Sequence, residues 1–119
     1  MDRFRPEAFL PLTPVAFEVL LSLADGPRHG YSILQEVESR SAGAIVLHAG
    51  TLYRALARLL ESELIDELDA PPDRRNDDER RRYYRLTARG IAVASAEMRR
   101  LERTLAAARA SALLKGSRA

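Results

Sequence analysis

Thr51, Tyr53, Arg54 and Arg58 bring a hydroxyl, a phenol and two guanidiniums into one short stretch of chain. At helical periodicity Thr51, Arg54 and Arg58 share a face with Tyr53 beside them, and no acidic residue interrupts that face until Glu61. A guanidinium pairs bidentately with the major-groove edge of guanine or clamps a phosphate. Gly50 lies at the expected helix start, where open backbone N–H groups suit an anion, and His48 at the entry adds a donor. The opposite face repeats Leu52, Leu56, Leu59 and Leu60, an inward stripe that would hold the polar groups in place.

A basic helix face alone is usually just solvated surface, so its meaning rests on the elements around it. Thr13-Pro14 predicts an N-cap with Pro at the first helical position, opening a helix apolar on most of its circumference that Asp25-Gly26-Pro27 stops. His29-Gly30-Tyr31 opens a second helix, with Tyr31, Leu34 and Val37 at three-residue steps and Ile33 beside them. Ser41-Ala42-Gly43 breaks it, and Ala44-Ile45-Val46-Leu47 reads as a β-prone connection to the basic helix. Beyond that helix, residues 64–68 have strand character, 69–79 are charged and turn-rich, and 81–86 form a second strand with Tyr84 and Leu86 on one face. Three helices followed by a two-stranded hairpin predict a mainly α fold with a small β-hairpin, a winged helix-turn-helix. In such a fold the third helix enters the major groove and the wing touches the flanking backbone or minor groove. The mixed-charge wing tip contributes Arg74, Arg75 and Arg80 as candidate phosphate contacts, without a base-reading role.

Composition sets outer limits. A chain of 119 residues supports one ordinary domain, here a winged-helix part over 1–87 with its N-terminal arm, integrated with a C-terminal helix over 88–119. There is no Cys, and the only histidines are His29 and His48, so neither a metal nor another cofactor is expected. No apolar run is long enough to cross a bilayer and the N-terminus does not read as a signal peptide, which predicts a soluble cytoplasmic protein with no membrane partner. A net charge of +2 is too small to argue for nucleic acid, and any footprint must come from particular arginines. Tyr31 and Tyr84 are expected in the core with hydroxyls at its edge, Tyr53 either contacts the nucleic acid or packs, and His29 is read as a turn residue satisfied by backbone.

The chain also resembles the PadR transcriptional regulators. The match runs through Gly26-Pro27-Arg28-His29-Gly30-Tyr31, Gly50-Thr51-Leu52-Tyr53 with Leu56, Arg58 and Leu59, Leu64-Ile65, and Arg82-Tyr83-Tyr84-Arg85-Leu86-Thr87 followed by Gly90. It covers roughly residues 13–90 in order and looks like the short subtype, with one C-terminal helix. Three departures stand out. Arg54 replaces the usual Pro, His48-Ala49 replaces a region with a small hydroxyl or Pro, and Glu63 replaces a Gly that normally serves a left-handed turn, so Glu63 should shift or strain the helix end.

From Thr87, which reads as an N-cap, Ile91, Ala94, Met98, Leu101, Leu105, Ala108 and Ala112 recur at three- and four-residue steps as a heptad seam. Phe4, Phe9, Leu10 and Leu12 also need cover, and a homodimer would supply it for both. The resemblance implies a dimer through this region, two recognition helices about 34–36 Å apart on an inverted-repeat operator in double-stranded DNA, and repression relieved by a small hydrophobic or aromatic effector. Some relatives hold flat drugs between Trp side chains; this chain has no Trp, so its pocket would be lined by apolar residues of the C-terminal helix and N-terminal segment. An enzyme is disfavoured, because no nucleophile-and-base pair, Gly-rich phosphate loop or metal cluster is present. The alternative is a winged-helix interaction module or adaptor without DNA binding, which would not need the basic Thr51, Arg54 and Arg58 face.

Overall fold

The Thr13 side chain accepts the Ala16 N–H at 3.1 Å and Pro14 takes the first helical position, so α1 (Pro14–Ser22) starts where a missing N–H is harmless. It ends slightly before the Asp25-Gly26-Pro27 stop, and the chain then forms β1 (Arg28–His29), α2 (Gly30–Arg40), α3 (Ala49–Glu61), β2 (Ile65–Leu68), β3 (Tyr83–Leu86) and α4 (Ala88–Ala110). A short 3-10 turn at Pro6–Phe9 precedes them. This computed structural model describes residues 3–69 and 82–112.

Val19, Leu20 and Leu23 meet Ile33 and Val37 of α2, Leu52, Leu56 and Leu59 of α3, Leu64, Ile65, Tyr84, and Val93 of α4 in one apolar core. The leucine stripe of α3 is buried as its spacing predicts. On α2 the inward face is instead Gly30, Ile33 and Val37, and Tyr31 is 61% exposed rather than placed in the core. The reason is angular: Tyr31 lies two residues from Ile33, nearly opposite it on a helix, so only one of them can face inward.

The sheet has three antiparallel strands in the order β1-β3-β2, one more than the expected hairpin. β1 is only two residues long and pairs His29 with Tyr83 and Arg28 with Tyr84. A strand this short has no periodicity to read. His29 also caps α2, its Nδ1 accepting the Ser32 N–H at 3.2 Å, while its ring meets Tyr83 edge-on at 5.3 Å and helps bury it. Arg28 donates from Nε to Ser22 O at 2.6 Å and from Nη1 to Ser32 Oγ at 3.0 Å. Glu36 lies between Arg28 at 3.4 Å and Arg40 at 3.3 Å, and Arg40 reaches Glu18 at 2.7 Å, so one ionic chain ties α1 to α2.

The end of α3 explains Glu63. Leu64 N–H donates to Leu59 O and Glu63 N–H to Leu60 O, both at 3.0 Å, a reversal that requires a left-handed residue between them. Glu63 supplies it with φ of 62°, so the helix end is strained and not shifted. Thr87 then joins this turn to α4: its N–H donates to Leu64 O at 3.1 Å, its hydroxyl to Glu63 O at 2.7 Å, and its Oγ1 accepts the Gly90 N–H at 3.0 Å. A Cβ at Gly90 would come within 2.0 Å of Leu64 O, so only glycine permits this approach.

α4 packs through Val93, Ala96 and Glu97. Glu97 is 2% exposed; its Oε2 accepts the Leu12 N–H at 2.8 Å and its Oε1 accepts from Arg100 Nε. The Arg100 hydrogen bond is the main cause holding this carboxyl below its ordinary pKa of 4.5; the Leu12 N–H helps and burial opposes. The N-terminal arm is thereby fastened to α4, with the Phe4 and Phe9 rings 5.8 Å apart and the Arg89 guanidinium 4.8 Å from the Phe4 ring.

Candidate nucleic-acid interface

The buried leucines of α3 turn its other side outward, where Tyr53, Arg54 and Arg58 are exposed and Thr51 is half-buried. Arg54 Nη2 lies 3.4 Å from Thr51 Oγ1, a long contact that leaves most of the guanidinium's donors open. Among the described residues neither Arg54 nor Arg58 is paired with a carboxylate. His48 is exposed and is the N-cap of α3 without a side-chain capping bond; Leu52 is the first N–H to bond into the helix, at 3.0 Å from His48 O. The N–H groups ahead of it, at Ala49, Gly50 and Thr51, therefore point out of the helix end with the favourable end of its dipole.

Tyr53 does two things at once. Its ring is about half exposed, yet a Cβ on Gly30 would lie 2.7 Å from its hydroxyl, so the phenol reaches across the first residue of α2. It also lies near Tyr84, whose hydroxyl is pushed above its ordinary pKa first by burial, then by the nearby Glu67 and Tyr53, with Arg82 opposing. Tyr84 is thus a neutral core phenol, as expected. Tyr31, on the same end of α2, projects outward; Ile33, nearly opposite it on the helix, takes the inward side in its place.

The sheet's outer surface has a different electrostatic character. Arg82 pairs with Glu67 at 3.5 Å and Arg85 with Asp66 at 3.9 Å across β2 and β3, so both cations stand beside carboxylates. Arg74, Arg75 and Arg80 lie outside the described residues.

Along α4, Ile91, Met98, Leu101 and Leu105 are exposed on one stripe, with Ala94 and Ala108 half-buried; Ala112 lies beyond the last residue of α4. Phe4, Phe9 and Leu10 are already half-buried within the chain, packed against its core. Leu21, Ala24, Leu86, Ile91, Ala94 and Met98 line much of an open, largely apolar groove of about 680 Å³ between the end of α1 and α4, with Asp25 and Arg85 also lining it. Among the described residues no cluster of three metal-ligating side chains occurs, and no helix is long and apolar enough to cross a membrane.

A three-helix core with a sheet whose last two strands follow the third helix defines a winged helix-turn-helix protein. The model for the transcriptional regulator PadR-like family matches residues 19–96, and the chain belongs to that family of transcriptional regulators. A transcriptional regulator from Clostridium thermocellum superposes with a TM-score of 0.67 at 28% identity, over 78% of this chain and 84% of that one. A PadR family transcription regulator from Clostridium difficile shares the fold, with a TM-score of 0.67 at 23% identity over 82% and 95% of the two chains. Uncharacterised protein X of Lysinibacillus sphaericus is 31% identical over 77 residues, 65% of this chain and 68% of its own length.

Proposed function

We propose that this regulator binds double-stranded DNA sequence-specifically as a homodimer on an inverted repeat, with α3 in the major groove. The observation that carries the reading is the exposed pair Arg54 and Arg58 on a helix whose other face is locked by Leu52, Leu56 and Leu59. Arg54 and Arg58 read guanine edges or clamp phosphates, Thr51 adds a hydroxyl, and the open N–H groups from Gly50 with His48 receive a backbone phosphate. Tyr53 reaches a phosphate from the junction with α2, and Arg74, Arg75 and Arg80 of the wing contact the flanking backbone.

Dimerisation uses the exposed α4 stripe, which a single chain leaves in water, extended by Phe4, Phe9 and Leu10 of the arm. The family supports repression as the mode of action. The groove beside Ile91 and Met98 suits a small apolar or aromatic effector, which would release DNA by favouring a different spacing of the two recognition helices.

A mobility-shift assay on the region upstream of the protein's own gene tests DNA binding. Wild type should retard a specific fragment, and Arg54→Ala/Arg58→Ala should not at the same concentration; equal binding by the double variant removes this face from the reading. Leu101→Arg should give a monomer by sedimentation, and a wild type that sediments as a monomer at micromolar concentration overturns the dimer.

A further inference from the structure

The connection between α2 and α3 is irregular rather than β-like, and it is pinned. The Ser41 Oγ accepts the Ile45 N–H at 3.0 Å, Gly43 N–H donates to Glu38 O at 2.9 Å, and Ala44 N–H to Ser41 O at 3.0 Å. Ala42 and Gly43 take the left-handed region, with φ of 54° and 83°, to make the reversal. Ile45 and Leu47 are then half-buried against the core. Between them Val46 points the other way and is 57% exposed.

Val46 stands two residues ahead of His48, the N-cap of α3, which puts it within roughly 7 Å of chain from the helix start. A recognition helix contacts base edges with its N-terminal residues, and Val46 is an exposed apolar side chain on the segment that leads into that end of α3. Valine has neither donor nor acceptor and cannot hold a phosphate. The apolar feature that the major groove offers is the thymine C5-methyl group. A β-branched side chain, stiff at χ1 and held between two anchored neighbours, loses little freedom on making that contact.

We propose that Val46 is a specificity residue that reads a thymine methyl in each operator half-site, beside the base pairs contacted from α3. This rests on the DNA-binding reading above and adds to it a preference the guanidiniums cannot supply.

The test starts from operator duplexes enriched by wild type from a random pool. Each thymine in turn is replaced by uracil, which differs only in lacking the methyl. One thymine per half-site should weaken wild-type binding about fourfold when replaced, as expected for one buried methyl. Val46→Ala should bind the parent operator several-fold more weakly and be indifferent to that same replacement; its exposed position leaves folding intact, checked by thermal melting. A pool from which wild type enriches nothing overturns the DNA reading together with the Val46 contact. An enriched operator insensitive to uracil, or a uracil penalty of equal size in Val46→Ala, overturns the Val46 contact alone.

Discussion

On α3, Arg54 and Arg58 stand in solvent with no carboxylate partner among the described residues, whereas on the sheet Arg82 and Arg85 each lie beside an acidic residue of the neighbouring strand. Each surface carries two arginines, yet only those of α3 stand without a neighbouring carboxylate. A cation already paired must give up or share its carboxylate before it can neutralise a phosphate, and counterion release counts only the cations that do so. A count of arginines along the sequence does not separate the two surfaces; the cross-strand register that sets Asp66 against Arg85 does.

The largest expected effect comes from removing the two kinds of arginine separately. Arg54→Ala and Arg58→Ala should each weaken DNA binding by about 1–3 kcal/mol. Arg82→Ala and Arg85→Ala should cost only a fraction of that. Salt titrations sharpen the contrast, since removing one arginine–phosphate pairing makes the slope of log K against log salt shallower by about 0.9. Equal losses of affinity from both pairs would break the distinction between free and paired cations.

Another arginine shows the opposite extreme. Arg100 is bonded to a carboxylate that is itself buried, and that carboxylate also holds the Leu12 N–H of the arm. Glu97→Ala leaves this N–H without its acceptor and should cost about 1–3 kcal/mol in urea unfolding at neutral pH. Because the folded-state pKa of Glu97 lies below the ordinary 4.5, its contribution is fully present above that value and is lost as pH falls through the folded pKa. The gap between wild type and Glu97→Ala should therefore narrow under acid; a gap constant from pH 7 to about pH 3 would show that the charge of Glu97 is irrelevant to the clasp.

The parts of this molecule that declare themselves in sequence are those governed by local periodicity and capping. Leu52, Leu56 and Leu59 announce the buried face of α3, and with it the outward Arg54 and Arg58; Thr13 and Thr87 announce helix starts and cap them as expected. Tyr31 misleads because two overlapping apolar patterns compete on α2 and only packing against α1 and α3 chooses Ile33. Glu97 is invisible as a core residue because a carboxylate can be buried only with partners, and Leu12 is remote in sequence. β1 is silent because two residues carry no pattern, and its identity comes from the strand beside it.

Glu63 offers a smaller effect. It faces Arg89 at 3.8 Å across an exposed gap, a pairing worth little in water, while its backbone occupies a left-handed conformation that costs an L-residue about 1–2 kcal/mol. Glycine removes that strain but gives the unfolded chain more freedom to lose. Glu63→Gly should therefore raise stability by about 0.5–1 kcal/mol in chemical denaturation. Unchanged or reduced stability would mean that the Glu63–Arg89 pair outweighs the backbone strain, and that exposed pairs here are stronger than the comparison assumes.

The smallest effect tests the sheet directly. Asp66→Asn/Glu67→Gln frees Arg82 and Arg85 without removing them. Both pairs are long and solvent-exposed, so stability should change by less than about 0.5 kcal/mol. Two negative charges at the base of the wing would be gone, however, and two cations would be released there. Screening over about a Debye length limits the gain, so non-specific DNA affinity should rise only about two- to threefold at low salt and lose that advantage near 0.15 M. A steeper salt slope in the double variant would show that the released arginines reach phosphates, and that Asp66 and Glu67 hold the wing base back from the backbone. If affinity and slope both stay at wild-type values, the sheet's arginines lie off the DNA path altogether, and the electrostatic contact rests on other cations, Arg54 and Arg58 of α3 among them.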